Sequence, residues 1–278
     1  MPNNPVPKAE TALIGGSGTF SINFPEELED PRVGTVAANL VFDTPYGPSP
    51  AFKRFTWGGQ SVLTTKMHGW RDGVSRADAS RQVFWVLREA GVRRIVAEGG
   101  VGSINRLLRP SDLLIPTDYL DCSMRKDVSL GSPYLLLMRQ PVCPELRQTL
   151  TLAAEKQARG RVFDRGVYAV TDGRHFESVA EIKMLERLGA DVVGQSMCPE
   201  VYLAREIGAC YGRIDLVVNY AEGVVAEWDY QELKELFFSE PNRIGRILLE
   251  AISKTNATPQ CNCAALRKPT LLKENPNS

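Results

Sequence analysis

A chain of 278 residues is long enough to bury a substantial core and lies in the range of one α/β domain, although length alone would allow two. Lysine and arginine number 33 against 33 aspartates and glutamates, so the formal net charge is zero and nothing argues for a nucleic-acid or acidic-membrane surface. A small molecule is the better expected partner. The opening MPNNPVPKAE has no apolar signal-peptide core and no run of about eighteen apolar residues occurs, so neither secretion nor a membrane span is supported and a cytoplasmic location is expected.

In chain order, residues 1–11 carry three prolines and read as a flexible arm. ALIGGSGTF (Ala12–Phe20) is a short apolar strand ending in Gly15-Gly16-Ser17-Gly18. Glycines let backbone amides approach an anion and the Ser17 hydroxyl adds a donor, yet the same pattern also makes an ordinary tight turn. It is not a Walker loop, since no Gly-Lys-Ser/Thr follows. DTPYGPSP (Asp43–Pro50) is a turn-rich connector between two strands, and the strand over 60–65 leads into KMHGWRDG, which clusters Lys66, His68 and Arg71. Such donors suit phosphate. A solvated loop in which His68 caps a turn is the alternative.

Val83, Phe84, Val86 and Leu87 predict an amphipathic helix over 78–90, ended by Gly91. A strand over 94–97 then enters a second glycine-rich loop, EGGVGSIN (Glu98–Asn105). RPSDLLIPTDYLD (Arg109–Asp121) reads as a turn and a strand, and a further helix is predicted over 143–160. From Gly166 to Gly223 the pattern is strand, loop, helix, strand, helix, strand. Val167–Val170 alternate into a loop carrying Phe176, and Ile182, Leu185 and Leu188 share a helix face stopped by Gly189. A short strand over 191–194 precedes Gln195-Ser196, and a helix with proline in its first turn follows over 199–209. The last strand, IDLVVNYAEG (Ile214–Gly223), stops at the Asn219 amide. Open α/β sheets hold ligands at the carboxyl ends of their strands, so Phe176, Gln195-Ser196 and Asn219 are expected to converge on one pocket. A strand-end amide that merely satisfies a loop is the competing reading of Asn219. Helices follow over 229–238 and 243–253, and the tail over 254–278 reads as irregular.

Six cysteines do not make a disulfide scaffold in a chain this long. Cys122, Cys143, Cys198 and Cys210 read as small core hydrophobes. Cys261-Asn262-Cys263 lies in the polar tail, where a C-x-C pair forms either a strained disulfide or half a metal site. The two histidines, His68 and His175, are far from it in sequence.

The block from Gly166 to Gly223 resembles the 5′-methylthioadenosine phosphorylase and trimeric purine nucleoside phosphorylase family. The shared features are the phenylalanine loop, the Gly-Ala-Asp turn, the loop before Pro-Glu-Val and the Asn near the end of the last strand, and the likeness extends from about Ala12 to about Ile252. It implies a single α/β domain over 12–253, with a mixed central sheet partly closed into a barrel and flanked by helices. It also implies a homotrimer or dimer of trimers, and no cofactor besides inorganic phosphate as co-substrate. No metal constellation is visible and none is needed for the reaction. The family's C-terminal cysteine pair is linked to stability, which implies a structural or redox role for Cys261 and Cys263.

By resemblance, Ser17, Lys66, His68, the Gly99 and Gly100 amides and Ser196 bind phosphate. Lys66 falls where the family has Arg, and Met67 or, with a one-residue shift, His68 falls where it has His. Phe176 stacks on the base, Gln195 takes the place of the methionine beneath the ribose, and Glu177 is a loop brace or a contact. Family enzymes acting on adenine-type nucleosides usually carry Asp-x-Asp where this chain has Asn219 and Ala221, which points to a 6-oxopurine. An amide serves both N7 and a 6-oxo group because it donates and accepts. The implied reaction is phosphorolysis of a purine nucleoside or its 5′-methylthio analogue to free base and sugar-1-phosphate, with Asn219 steadying the departing base. A nucleosidase using water and a non-catalytic nucleoside-binding homologue are the competing readings.

Overall fold

The computed structural model describes residues 5–67, 71–255 and 259–270. β1 (Thr11–Gly15) is buried along its whole length. β2 (Val33–Leu40), a small hairpin of β3 (Asp43–Thr44) and β4 (Gly47–Pro48), β5 (Phe52–Trp57) and β6 (Gln60–Lys66) follow. β2, β5 and β6 pair antiparallel in that order, and β6 runs parallel to β1. α1 (Arg76–Ala90) begins at Ser75, whose hydroxyl accepts from the Asp78 amide, and ends at Gly91 in the left-handed conformation. Residues 5–10 are tied down in part, since the Ala9 amide donates to the Ala90 carbonyl and Ala9 is buried.

The remaining elements are β7 (Arg94–Ser103), β8 (Leu113–Leu114), β9 (Asp118–Asp121), β10 (Tyr134–Leu136), α2 (Pro144–Gln157), β11 (Val162–Phe163), β12 (Val167–Val170), α3 (Val179–Arg187), β13 (Val192–Gly194), α4 (Met197–Glu206), β14 (Cys210–Tyr220), α5 (Tyr230–Ser239), α6 (Pro241–Ser253) and β15 (Arg267–Pro269). The main sheet runs β11, β8, β14, β7, β1, β6, β5, β2, with β13, β12 and β9 attached through β7. Arg94 to Ala97 pair with β1, while Gly102 and Ser103 pair with β13. One long strand therefore serves two neighbours in succession, and the mixed sheet folds over toward a partial barrel.

Side chains alternate across this sheet into two cores. Ala12, Ile14, Ile95 and Ala97 join residues of α1 and α4 on one face, whereas Leu13 and Val96 join those of α2 and α6 on the other. Helices thus cover both faces, as strands with two buried sides require.

Three local expectations change. EGGVGS is the second half of β7 rather than a loop, because β14 pairs with it from Arg94 to Ser103 and supplies its backbone partners. Leu188, expected on the buried face of α3, caps the helix and is 56 % exposed, while Ile182 and Leu185 are buried. The tail is not wholly irregular, since Cys263–Leu266 forms a helical turn and β15 pairs antiparallel with β10. Ser111 adopts φ 73, a left-handed turn that costs a residue with a side chain more than glycine.

Candidate active site

A cavity of about 420 Å³ opens at the carboxyl ends of β7, β13 and β14, and it is bounded by Ser17, Gly100, Phe176, Gln195, Asn219 and Ala221 among others. This is within the size range of small-molecule sites. Asn219 reaches it through a register irregularity: β14 pairs with β7 continuously to Val217, then skips Val218 before Asn219 meets Gly102. A bulge of this kind re-aims the side chains after it. The Asn219 amide nitrogen donates to the Tyr220 carbonyl at 2.8 Å, which holds the side chain at the cavity wall. At the mouth Phe176 is 55 % exposed and meets Trp228 edge to face at 5.6 Å. Trp228 in turn donates to Glu222, another lining residue, at 2.9 Å. Glu177 accepts from the Thr171 hydroxyl and also borders the cavity, so it is both brace and wall.

The first glycine loop is occupied by the protein itself. The Glu98 carboxylate accepts from the Gly16 amide, the Gly18 amide at 2.8 Å, the Thr19 amide at 3.0 Å and the Thr19 hydroxyl at 2.7 Å. A nest of backbone amides suited to an anion therefore encloses an internal one. A Cβ on Gly16 would collide with the Glu98 backbone, and one on Gly18 with its carboxylate, so this close approach needs both glycines. Ser17 points away from Glu98 toward the cavity, and its hydroxyl oxygen accepts from the Gly100 amide at 2.7 Å.

Behind the cavity lies a buried cluster in which Arg213 is fully enclosed. Its guanidinium donates to Asp215 at 2.9 Å and to the Ser196 hydroxyl at 2.9 Å, and approaches Glu200 at 3.5 Å. Burial opposes its charge, but Asp215 and its other anionic neighbours hold the guanidinium well above its ordinary pKa. Burial pushes Glu200 up to about 7 against the pull of Arg213, and it raises Asp215 and Glu98 as well. Two buried carboxyl groups, of Asp215 and Glu200, thus contact one buried guanidinium, whose charge also reaches Glu98.

The residues expected from sequence divide accordingly. Ser17, Gly100, Phe176, Gln195, Asn219 and Ala221 meet at one cavity. Gly99 and Ser196 do not join them at that wall: a Cβ on Gly99 would strike the Arg213 guanidinium, and Ser196 is bonded by it. Ser196 instead lines a cleft of about 80 Å³ beside Arg71, Arg76 and Arg125. Lys66 stands apart from that wall: its ammonium group donates to the Phe20 and Ile22 carbonyls, and it lines a separate cavity. Burial lowers its pKa. His68 lies outside the described residues. Arg174, His175, Glu222 and Trp228 were not anticipated. The first two stand beside Phe176 in the same loop and were legible there, but no local pattern announces a tryptophan that arrives from the segment after β14.

Fold and cavity define a class: single-domain α/β proteins with a mixed, partly closed sheet and a small-molecule site at its strand ends. The family model described as "Phosphorylase superfamily" matches residues 12–253, and the chain belongs to that family. It is 32 % identical over 269 residues to the probable 6-oxopurine nucleoside phosphorylase of Korarchaeum cryptofilum, covering 90 % of this chain and 95 % of that one. It is also 32 % identical to the 6-oxopurine nucleoside phosphorylase of Pyrococcus furiosus, covering 91 % and 95 %. The crystal structure of a methylthioadenosine phosphorylase from an Antarctic soil metagenomic library shares the fold, with a TM-score of 0.77 at 23 % identity over 93 % of this chain and 91 % of that one. Among the described residues no helix is long and apolar enough to cross a membrane.

Proposed function

We propose that this protein cleaves the N-glycosidic bond of a 6-oxopurine nucleoside, or of its 5′-methylthio analogue, with phosphate as acceptor as the names of its relatives suggest. The observation that carries this reading is the single cavity bounded by Ser17, Phe176, Gln195 and Asn219. As the bond breaks, the sugar becomes oxocarbenium-like and negative charge gathers on the purine. Asn219 offers the amide that the base requires, Phe176 an aromatic face for it, and Gln195 a polar group for the sugar hydroxyls. With Ala221 in place of an acid, that position offers no carboxylate to a 6-amino group. The reaction needs no cofactor. We further propose a cytoplasmic homotrimer or dimer of trimers, with the segment 135–138 bordering a neighbour's site; Leu135 is 56 % exposed and available for that contact.

Hydrolysis by water is a second reading, favoured by the Glu98 carboxylate seated among the loop amides. A phosphate dianion would have to displace that carboxylate or bind beside a carboxyl-rich cluster. One assay separates the two. Inosine, guanosine, adenosine and their 5′-methylthio analogues are offered with and without phosphate, and base and sugar products are measured. Phosphorolysis gives hypoxanthine and sugar-1-phosphate only when phosphate is present; hydrolysis gives free sugar at an unchanged rate without it. Asn219→Ala is expected to lower kcat/KM about 100-fold. Release of adenine in preference to hypoxanthine would sink the 6-oxopurine assignment.

A further inference from the structure

Far from the cavity in chemistry and untouched by the proposed reaction, Cys143, Cys210, Cys261 and Cys263 bring their sulfur atoms together, all within 4.8 Å of one another. Among the described residues this is the only group of its kind. Cys210 and Cys261 approach to 3.4 Å, and Cys143, Cys210 and Cys263 are buried. From this convergence we infer that the four thiols form a structural site for one divalent, thiophilic metal ion, with zinc as the expected occupant.

The geometry is the first argument. Four thiolates about 2.3 Å from one tetrahedral zinc stand about 3.8 Å apart, so sulfurs between 3.4 and 4.8 Å apart need only small shifts. A set of four sulfurs without carboxylates or imidazoles is also the donor chemistry that selects zinc over harder cations. The second argument is how the ligands are supplied. Cys143 caps the N-terminus of α2 with its own amide donating to the Tyr211 carbonyl at 2.8 Å. Cys210 opens β14 with its amide on the Arg93 carbonyl at 2.8 Å. Cys263 is steadied by Arg205, which donates to its carbonyl at 3.1 Å. Three separate parts of the chain are thus held by hydrogen bonds to their backbone so that their thiols meet.

Electrostatics favours the same assignment. Cys143 stands at the N-terminus of α2, among backbone amides that have no partner within the helix. A helix N-terminus stabilises a thiolate in this way. Further thiolates at such separation repel one another unless a cation joins them. The ion's role would be to dock the segment 259–270 onto α2 and β14, because metal binding to a site absent from the unfolded chain is folding free energy.

The test is elemental analysis of the full chain, purified with reductant and without chelator. About one zinc per chain is expected, with a sulfur-only shell at about 2.3 Å by X-ray absorption. Cys263→Ser and Cys261→Ser should each reduce the zinc content at least tenfold and raise amide exchange over 259–270. Cys122→Ser, an exposed residue outside the cluster, should leave both unchanged. Should the serine variants fail to fold, the metal content and absorption spectrum of the unaltered protein still decide. A metal-free chain whose four thiols titrate freely overturns the proposal. So does a chain carrying two disulfides that takes up no zinc after reduction, and so does zinc retained by Cys263→Ser.

Discussion

Two regions built on the same pair of strands, β7 and β14, meet opposite fates. Toward the strand ends Gly100 and Asn219 border an open cavity of about 420 Å³. A few residues earlier Glu98, Arg213 and Asp215 are sealed and bonded to one another or to the glycine loop. The difference teaches that a strand carries polar groups for two purposes. Where a bulge at Val218 breaks the register, a polar side chain is free to meet a ligand; where the ladder is regular and helices cover it, a polar side chain must find its partner within the protein. The glycine loop stands at the border between the regions, giving its amides to Glu98 and its Ser17 hydroxyl to the cavity.

The sharpest way to break this comparison is Arg213→Met. Removing the guanidinium leaves Asp215 and Glu200 without their cation, and breaking a buried pair by deleting one partner costs about 3–5 kcal/mol. Denaturant unfolding should show a loss of that order. A loss below about 1 kcal/mol would mean that the cluster is not held as an ion-paired unit.

A somewhat smaller effect is expected from pH. Burial raises the folded-state pKa of Glu200 from the ordinary 4.5 to about 7, so between those values the folded protein keeps a proton that the unfolded chain has released. Stability from this group is therefore complete below 4.5 and is lost as pH rises through 7, by about 3 kcal/mol across the window. Asp215 and Glu98 act in the same direction. Unfolding free energies measured over that range should fall with rising pH, and Glu200→Gln should flatten the slope. A stability that rises with pH, or an unaltered slope in the variant, contradicts the burial argument.

The smallest effect concerns the open region. Phe176→Ala removes an exposed ring that touches Trp228 at the cavity mouth, so the melting temperature should hardly move. The loss of an aromatic stack of about 0.5–1.5 kcal/mol should raise KM for the nucleoside roughly 2- to 10-fold with kcat nearly unchanged. An unchanged KM would remove Phe176 from the base site.

Much of the fold was legible in local patterns. The strands beginning near Ala12 and running over 214–220, the apolar face of α1 and its Gly91 end follow from short-range spacing and capping, while the Ser75 cap and the start of β14 at Cys210 came from the structure. The convergence of Phe176, Gln195 and Asn219 was likewise anticipated, because sheets of this kind place strand ends together, whereas Ser196, expected with them, is bonded by Arg213 instead. The surroundings of Lys66 were not legible, since a cationic cluster in sequence says nothing about which carbonyls fold back to meet it, here those of Phe20 and Ile22. Glu98 carried no expectation of its own, yet its length and charge let it act as the internal anion of the first glycine loop.

By itself, then, the amino-acid order determined the helices, the strands and the set of strand-end loops, because those depend on neighbours within a few residues. Only the tertiary structure decided which polar groups remain open to a ligand and which neutralise one another. It likewise brought Cys143 and Cys210 to the C-x-C pair, across separations of up to 120 residues. Electrostatic and sulfur contacts act over a few ångströms in space and are indifferent to distance along the chain.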